Sequence, residues 1–143
     1  MIKPTLETKC FACHNEAKAK GGLLLTTTEG ILKGGENGEV ILGNNQENAA
    51  YPSGMCAERV AIWNAGAIYP GVKIKKLAIT ASSTISKVDQ PIGPCGACRQ
   101  TLSEYEINQK EPFKVIFMGE VGEVIIIESL LSLLPFSFDS SYL

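Results

Sequence analysis

The chain has 143 residues, 45% of them hydrophobic and 20% charged, with a formal net charge of -2. A chain this long fits one domain with a sizeable core. Its slight acidity, without a basic tail or stripe, argues against a nucleic-acid partner, and its apolar runs fall short of the roughly 20 residues that cross a bilayer.

The first segment, LETKCFACHNEAKAK (residues 6–20), reads as a weakly amphipathic helix ended by Gly21 and Gly22. LLLTTT (23–28) reads as a strand. ENGE (36–39) contains Asn-Gly, a two-residue turn signal, and a strand over 40–42 follows it. Residues 44–54 form a polar loop. A helix is expected from Cys56 to about residue 67, a buried strand over 75–81, and a loop over 82–94. A second helix starts near Cys95 and runs to about 105. The strands 113–118 and 123–127 flank the turn GEVG, and a short helix at 128–134 leads into the tail. Helices alternating with strands imply a layered α/β domain, and the two tight turns imply antiparallel neighbours in a mixed sheet. No repeat or linker divides the chain, so a single domain over 1–143 is expected.

The five cysteines carry the chemistry. An odd number, with no export signal at the N-terminus, argues against a disulfide framework and for a reducing cytoplasmic compartment. Cys56 opens one expected helix, and Cys95 and Cys98 open another as Cys-x-x-Cys. Helix N-termini favour anions, hence thiolates. Three thiolates suit a catalytic zinc site, which leaves its fourth position to water. Glu58 follows Cys56 by two residues, where a free carboxylate can take a proton from that water and pass it on. Three thiolates against one Zn²⁺ leave one surplus negative charge, and Arg59 and Arg99 are the candidates to offset it, Arg59 being preferred.

NQENAAYPSGMCAER (45–59) followed by PCGACRQ (94–100) resembles the small cytidine deaminases, in their three-cysteine, four-subunit branch. The tail LLPFSF (133–138) is similar to that family's C-terminus, and the resemblance covers about residues 36–138. It implies a three-layer α/β/α fold around a mixed sheet of about five strands. It implies Zn²⁺, one per subunit, held by Cys56, Cys95 and Cys98, with Glu58 as the catalytic proton carrier. It further implies ribose contacts from Asn45 and Glu47, a pyrimidine-carbonyl contact from the backbone of Ala57, and Arg59 against the ligand sulfurs. Tyr51 and Phe138 would reach the active site of a neighbouring subunit in a homotetramer. The implied reaction is hydrolytic: cytidine or deoxycytidine loses ammonia to give uridine or deoxyuridine, in pyrimidine salvage. The expected partner is a small nucleoside, with neither nucleic acid nor membrane involved.

The resemblance stops abruptly before residue 36. LTTTEGILKG (25–34) lacks the Phe and the Val-Gly-Ala that the family carries there. Divergence and a shifted reading frame both account for this. A blasticidin-type nucleoside deaminase and an inactive, zinc-stapled relative are the alternative functions. CFACH (10–14) spells a haem-attachment pattern and offers Cys10, Cys13 and His14 as metal ligands, but so short a match is most simply read as plain helix residues.

Overall fold

The computed structural model describes residues 11–19, 24, 26–33 and 38–143. Its contacts fall into two units, Met1–Leu42 and Gly43–Leu143.

In the first unit the expected N-terminal helix is replaced, over its described part, by a run of turns at residues 11–18. The reason is local. The Asn15 side-chain oxygen accepts from the N–H groups of Ala17 and Lys18 at 3.0 and 3.1 Å, and its amide donates to the Phe11 carbonyl at 2.8 Å. Such bonds compete with the helical ladder. The expected strand over 23–28 lies partly outside the described residues, and its end is corrected: Thr28–Lys33 is a short helix, α1. Thr27 turns the chain into it, its hydroxyl accepting from the Gly30 N–H at 3.0 Å in the manner of an N-cap. The threonines are β-formers by propensity, but this one acts through its hydroxyl. Of the expected ENGE turn, Gly38 is described, with φ of 114°, a value that suits glycine. Residues 40–42 belong to no strand.

The second unit holds α2 (Ala57–Ile68), β1 (Lys76–Thr80), α3 (Gly96–Gln109), β2 (Lys114–Met118) and β3 (Val124–Ile127), in that chain order. A 3-10 turn at Tyr51–Ser53 precedes α2, and another at Leu130–Leu133 follows β3. The sheet is mixed, as expected, in the order β1-β2-β3. β1 and β2 are parallel, with Leu77 opposite Val115 and Ile79 opposite Phe117; β2 and β3 are antiparallel, with Phe117 opposite Ile125. A parallel pair needs a long crossover, and α3 supplies it. Among the described residues the sheet has three strands, not the five expected. The two missing ones are those drawn from the sequence before Cys56.

The core follows from two periodicities. β2 alternates, burying Val115 and Phe117. α3 buries Cys98, Leu102 and Glu106, four residues apart along one stripe. With Ile62 of α2, Phe113 and Leu130 these form one cluster, against which Cys56, Leu77, Ile79 and Leu133 pack. Cys98 is thus a core residue and a site residue at once.

One glycine fixes how the loop before α2 meets that helix. A Cβ on Gly43 would lie 2.5 Å from the Ala57 carbonyl oxygen and the Ala61 nitrogen, both backbone atoms. Neither can swing aside. Gly43→Ala is expected to destabilise the fold by about 1–3 kcal/mol, the cost of overpacking, read as a lowered midpoint in urea denaturation.

Candidate metal and active site

Two helix starts face each other. Cys56 is the N-cap of α2 and Cys95 the N-cap of α3, both with extended backbone (φ -70°, ψ 149° and φ -67°, ψ 168°). Cys98 lies one turn into α3. The Cys56 and Cys95 sulfurs are 3.8 Å apart, and those of Cys95 and Cys98 are 3.4 Å apart. All three ligand atoms lie within 4.8 Å of one another. Zn–S bonds of about 2.3 Å in a tetrahedron put sulfurs roughly 3.8 Å apart, so the spacing fits a single Zn²⁺. It does not fit a disulfide, whose sulfurs sit about 2.05 Å apart, and these cysteines are free. Among the described residues this is the sole group of three or more potential ligands so arranged. Cys13 and His14 are described and do not join such a group; Cys10 lies outside the described residues.

The electrostatics differ across the trio. The backbone N–H of Cys98, aided by the Cys98 and Cys56 side chains and the Ala97 N–H, outweighs burial and holds the Cys95 thiol below its ordinary range. Burial, followed by the Cys95 side chain and the Glu58 charge, pushes the Cys98 thiol far up. A thiol coordinated to a cation is deprotonated outright, so a bound metal would reverse the effect of burial on Cys98.

Glu58 is 8% exposed. It shares with Ile62 the buried face of α2, one turn apart. Its charge acts on the Cys98 thiol, and it lies in the first turn of α2, two residues after the Cys56 N-cap. It accepts no hydrogen bond from another described residue, so its oxygens stay open to water or ligand.

Arg59 and Arg99 part company. Interaction with the Cys56 sulfur, then with that of Cys98, raises the Arg59 pKa against the opposing effect of burial. Its guanidinium lies 5.9 Å from the centroid of the Trp63 ring, and its Nε is buried without a hydrogen-bond partner. The Trp63 contact escaped the sequence reading, although the spacing of four on a helix could have signalled it. Arg99 instead donates to main-chain carbonyls.

The loop before α2 folds back on itself. Gln46 and Met55 exchange backbone hydrogen bonds of 2.8 and 2.9 Å. This brings Asn45 to α2, where its side-chain oxygen accepts from the Ala57 N–H at 2.9 Å, while its amide donates to Glu47 at 3.5 Å. A cleft of about 400 Å³ opens there, lined by Asn45, Glu47, Asn48, Tyr51, Cys56 and Arg59 among others. Tyr51 is 88% exposed. Phe138 is also exposed and outside that lining; its ring stacks on Tyr142 with centroids 5.7 Å apart, and its carbonyl accepts from Gln100 at 2.8 Å. Asn48 is a cleft residue the sequence reading did not single out, although the polar run NQEN contains it.

A mixed sheet, two helix starts presenting three thiols, and a buried carboxylate beside them define a zinc-binding deaminase type of α/β protein. A family model described as the cytidine and deoxycytidylate deaminase zinc-binding region matches residues 30–111. The cytidine deaminase of Sporosarcina psychrophila is 34% identical over 111 residues, covering 75% of this chain and 74% of that protein. That of Halalkalibacterium halodurans is 31% identical over 95 residues, covering 66% and 67%. The crystal structure of cytidine deaminase from Burkholderia pseudomallei matches with a TM-score of 0.58 and 34% identity, covering 71% of this chain and 74% of that one. The chain belongs to the cytidine and deoxycytidylate deaminase family. The family's cofactor is Zn²⁺, and the three sulfurs fit it.

Proposed function

We propose that this protein hydrolyses cytidine and deoxycytidine to uridine and deoxyuridine, releasing ammonia, in pyrimidine salvage. The observation that carries this reading is a three-sulfur site, with no fourth protein ligand among the described residues, beside the buried carboxylate of Glu58. A structural zinc would be closed by a fourth ligand; a catalytic one keeps a place for water. Bound zinc acts as a Lewis acid that makes water nucleophilic at neutral pH.

The chain's own residues do the rest. Glu58 takes a proton from water and delivers it to N3 of the pyrimidine, then delivers a second to the departing amine. Its low exposure withdraws it from bulk solvent, while its oxygens keep their acceptor capacity free of other described residues. The ribose hydroxyls meet Asn45 and Glu47, whose side chains line the cleft. The Ala57 N–H, turned toward the Asn45 oxygen in the free protein, exchanges that partner for the pyrimidine carbonyl. Arg59 offsets the surplus charge of three thiolates.

The active unit is a homotetramer of single deaminase-like domains, acting in the cytoplasm. Exposed Tyr51 and Phe138 complete the sites of neighbouring subunits, which accounts for two large aromatics left in solvent by one copy. No described helix is long and apolar enough to cross a membrane.

The test is metal analysis of the purified protein alongside an ultraviolet absorbance assay with cytidine and deoxycytidine. One zinc per chain is expected, with turnover that a chelator abolishes and added zinc restores. Bound zinc with no turnover of either nucleoside would leave the protein a zinc-stapled relative without this activity.

A further inference from the structure

Near the metal site, the Arg99 side chain makes two hydrogen bonds that the function above does not use. Its Nε donates to the Pro94 carbonyl at 2.8 Å, and its Nη1 to the Leu133 carbonyl at 3.3 Å. Its own backbone N–H donates to the Cys95 carbonyl at 2.9 Å. The Arg99 side chain therefore holds the residue that precedes the Cys-x-x-Cys turn and fastens it to the C-terminal turn at Leu130–Leu133. The ion pairs among the described residues use Lys73, Lys75 and Lys114, not Arg99.

The carbonyl of Pro94 explains the need. It precedes the N-cap, so the ladder of α3 has no donor for it. Pro94 is fully buried. An unpaired carbonyl at such a place is costly, and a rotation of the peptide between Pro94 and Cys95 would be its relief. That rotation would carry Cys95, the exposed member of the trio, away from Cys98, which is anchored in the core. A guanidinium suits the task because its planar fork donates in two directions at once; an ammonium is a single point.

We infer that Arg99 is a positioning residue for the metal-binding turn: it locks the orientation of the Cys95 ligand by joining the Pro94 carbonyl to that of Leu133. It touches neither metal nor substrate. Its neighbour Gln100 ties the Phe138 carbonyl to the same turn of α3, so the tail and the metal-binding turn share one support.

The test reads the metal, not turnover. Zinc release from the full-length protein to a chromophoric chelator is timed, and the absorption bands of the cobalt(II)-substituted protein report ligand geometry. Arg99→Ala is expected to release zinc about 10–100-fold faster, the usual effect of removing a residue that orients a ligand, with shifted cobalt bands. Millimolar methylguanidinium should slow release again, and methylammonium should not. Arg99→Lys, which keeps charge and stem, covers the case in which the alanine variant does not fold; it should release zinc several-fold faster than the parent. Glu106→Gln loosens the same C-terminal turn from its far side and serves as the control. Release from Arg99→Ala or Arg99→Lys within twofold of the parent overturns the inference. So does equal acceleration by Glu106→Gln, which would mark the effect as general loss of stability.

Discussion

Replacing Glu58 by Gln leaves zinc bound at the parent's stoichiometry and lowers deamination of cytidine by about 10²–10⁴-fold, the usual worth of a positioned proton carrier. The substitution keeps the volume and the place on the buried face of α2 that Glu58 shares with Ile62. It removes only the ability to accept and give up a proton. The three sulfurs that hold the metal are supplied by other residues. Metal content and rate therefore separate, and measuring both on one preparation decides the matter. Loss of zinc together with activity would make Glu58 a ligand; unchanged activity would remove it from the chemistry. A neutral amide is less costly to bury than a carboxylate, so the fold should hold.

Replacing Glu106 by Ala lowers stability by about 3–5 kcal/mol, through the burial of donors left without an acceptor. Glu106 is 4% exposed. One of its oxygens accepts from the N–H groups of Phe113 and Leu130, both at 2.9 Å. The other accepts from the Ser129 hydroxyl and from the Leu131 N–H at 3.2 Å. The carboxylate thus joins α3 to the start of β2 and to the C-terminal turn. Gln restores only part of this, because its amide nitrogen must face donors on one side. Turned toward Ser129, whose hydroxyl can reverse its role, it still opposes the Leu131 N–H, and a loss of about 1.5–3 kcal/mol is expected.

Burial alone would raise the Glu106 pKa, but Ser129 and the three backbone donors outweigh it and hold the carboxyl below its ordinary range. The folded value is therefore below the unfolded one, near 4.3. Its contribution is complete above that pH and is lost as pH falls through the folded value. Urea midpoints for the parent and Glu106→Gln should converge on acidification from pH 6. A gap that stays constant down to the acid-unfolding region would show that the ionised carboxylate is not the stabilising species.

The site was legible because its residue types are chemically scarce at their spacing. Cys-x-Glu and Pro-Cys-x-x-Cys each sit at a helix start, and a helix start places successive residues in a known fan whatever surrounds it. The same holds for the elements from Cys56 onward, whose alternation in β2 and four-residue stripe in α3 repeat the hydrophobic pattern directly. Before residue 43 the expected elements differ from those of the described residues. There Asn15 and Thr27 spend their side chains on nearby backbone, and such bonds outcompete a weak periodicity. Glu106 was not singled out, and Arg99 stood only as the alternative charge for the sulfurs, for another reason. Their partners Leu130, Leu131 and Leu133 offer backbone groups 24 to 34 residues away.

The amino-acid order alone singled out Cys56, Cys95, Cys98 and Glu58 and the α/β class, since each depends on residue type and on periods of two to four residues. Only the folded chain decided which polar groups end up sharing a buried space, because backbone donors and acceptors are the same at every position. Their pairing depends on where the chain returns, and that is a property of the packed core.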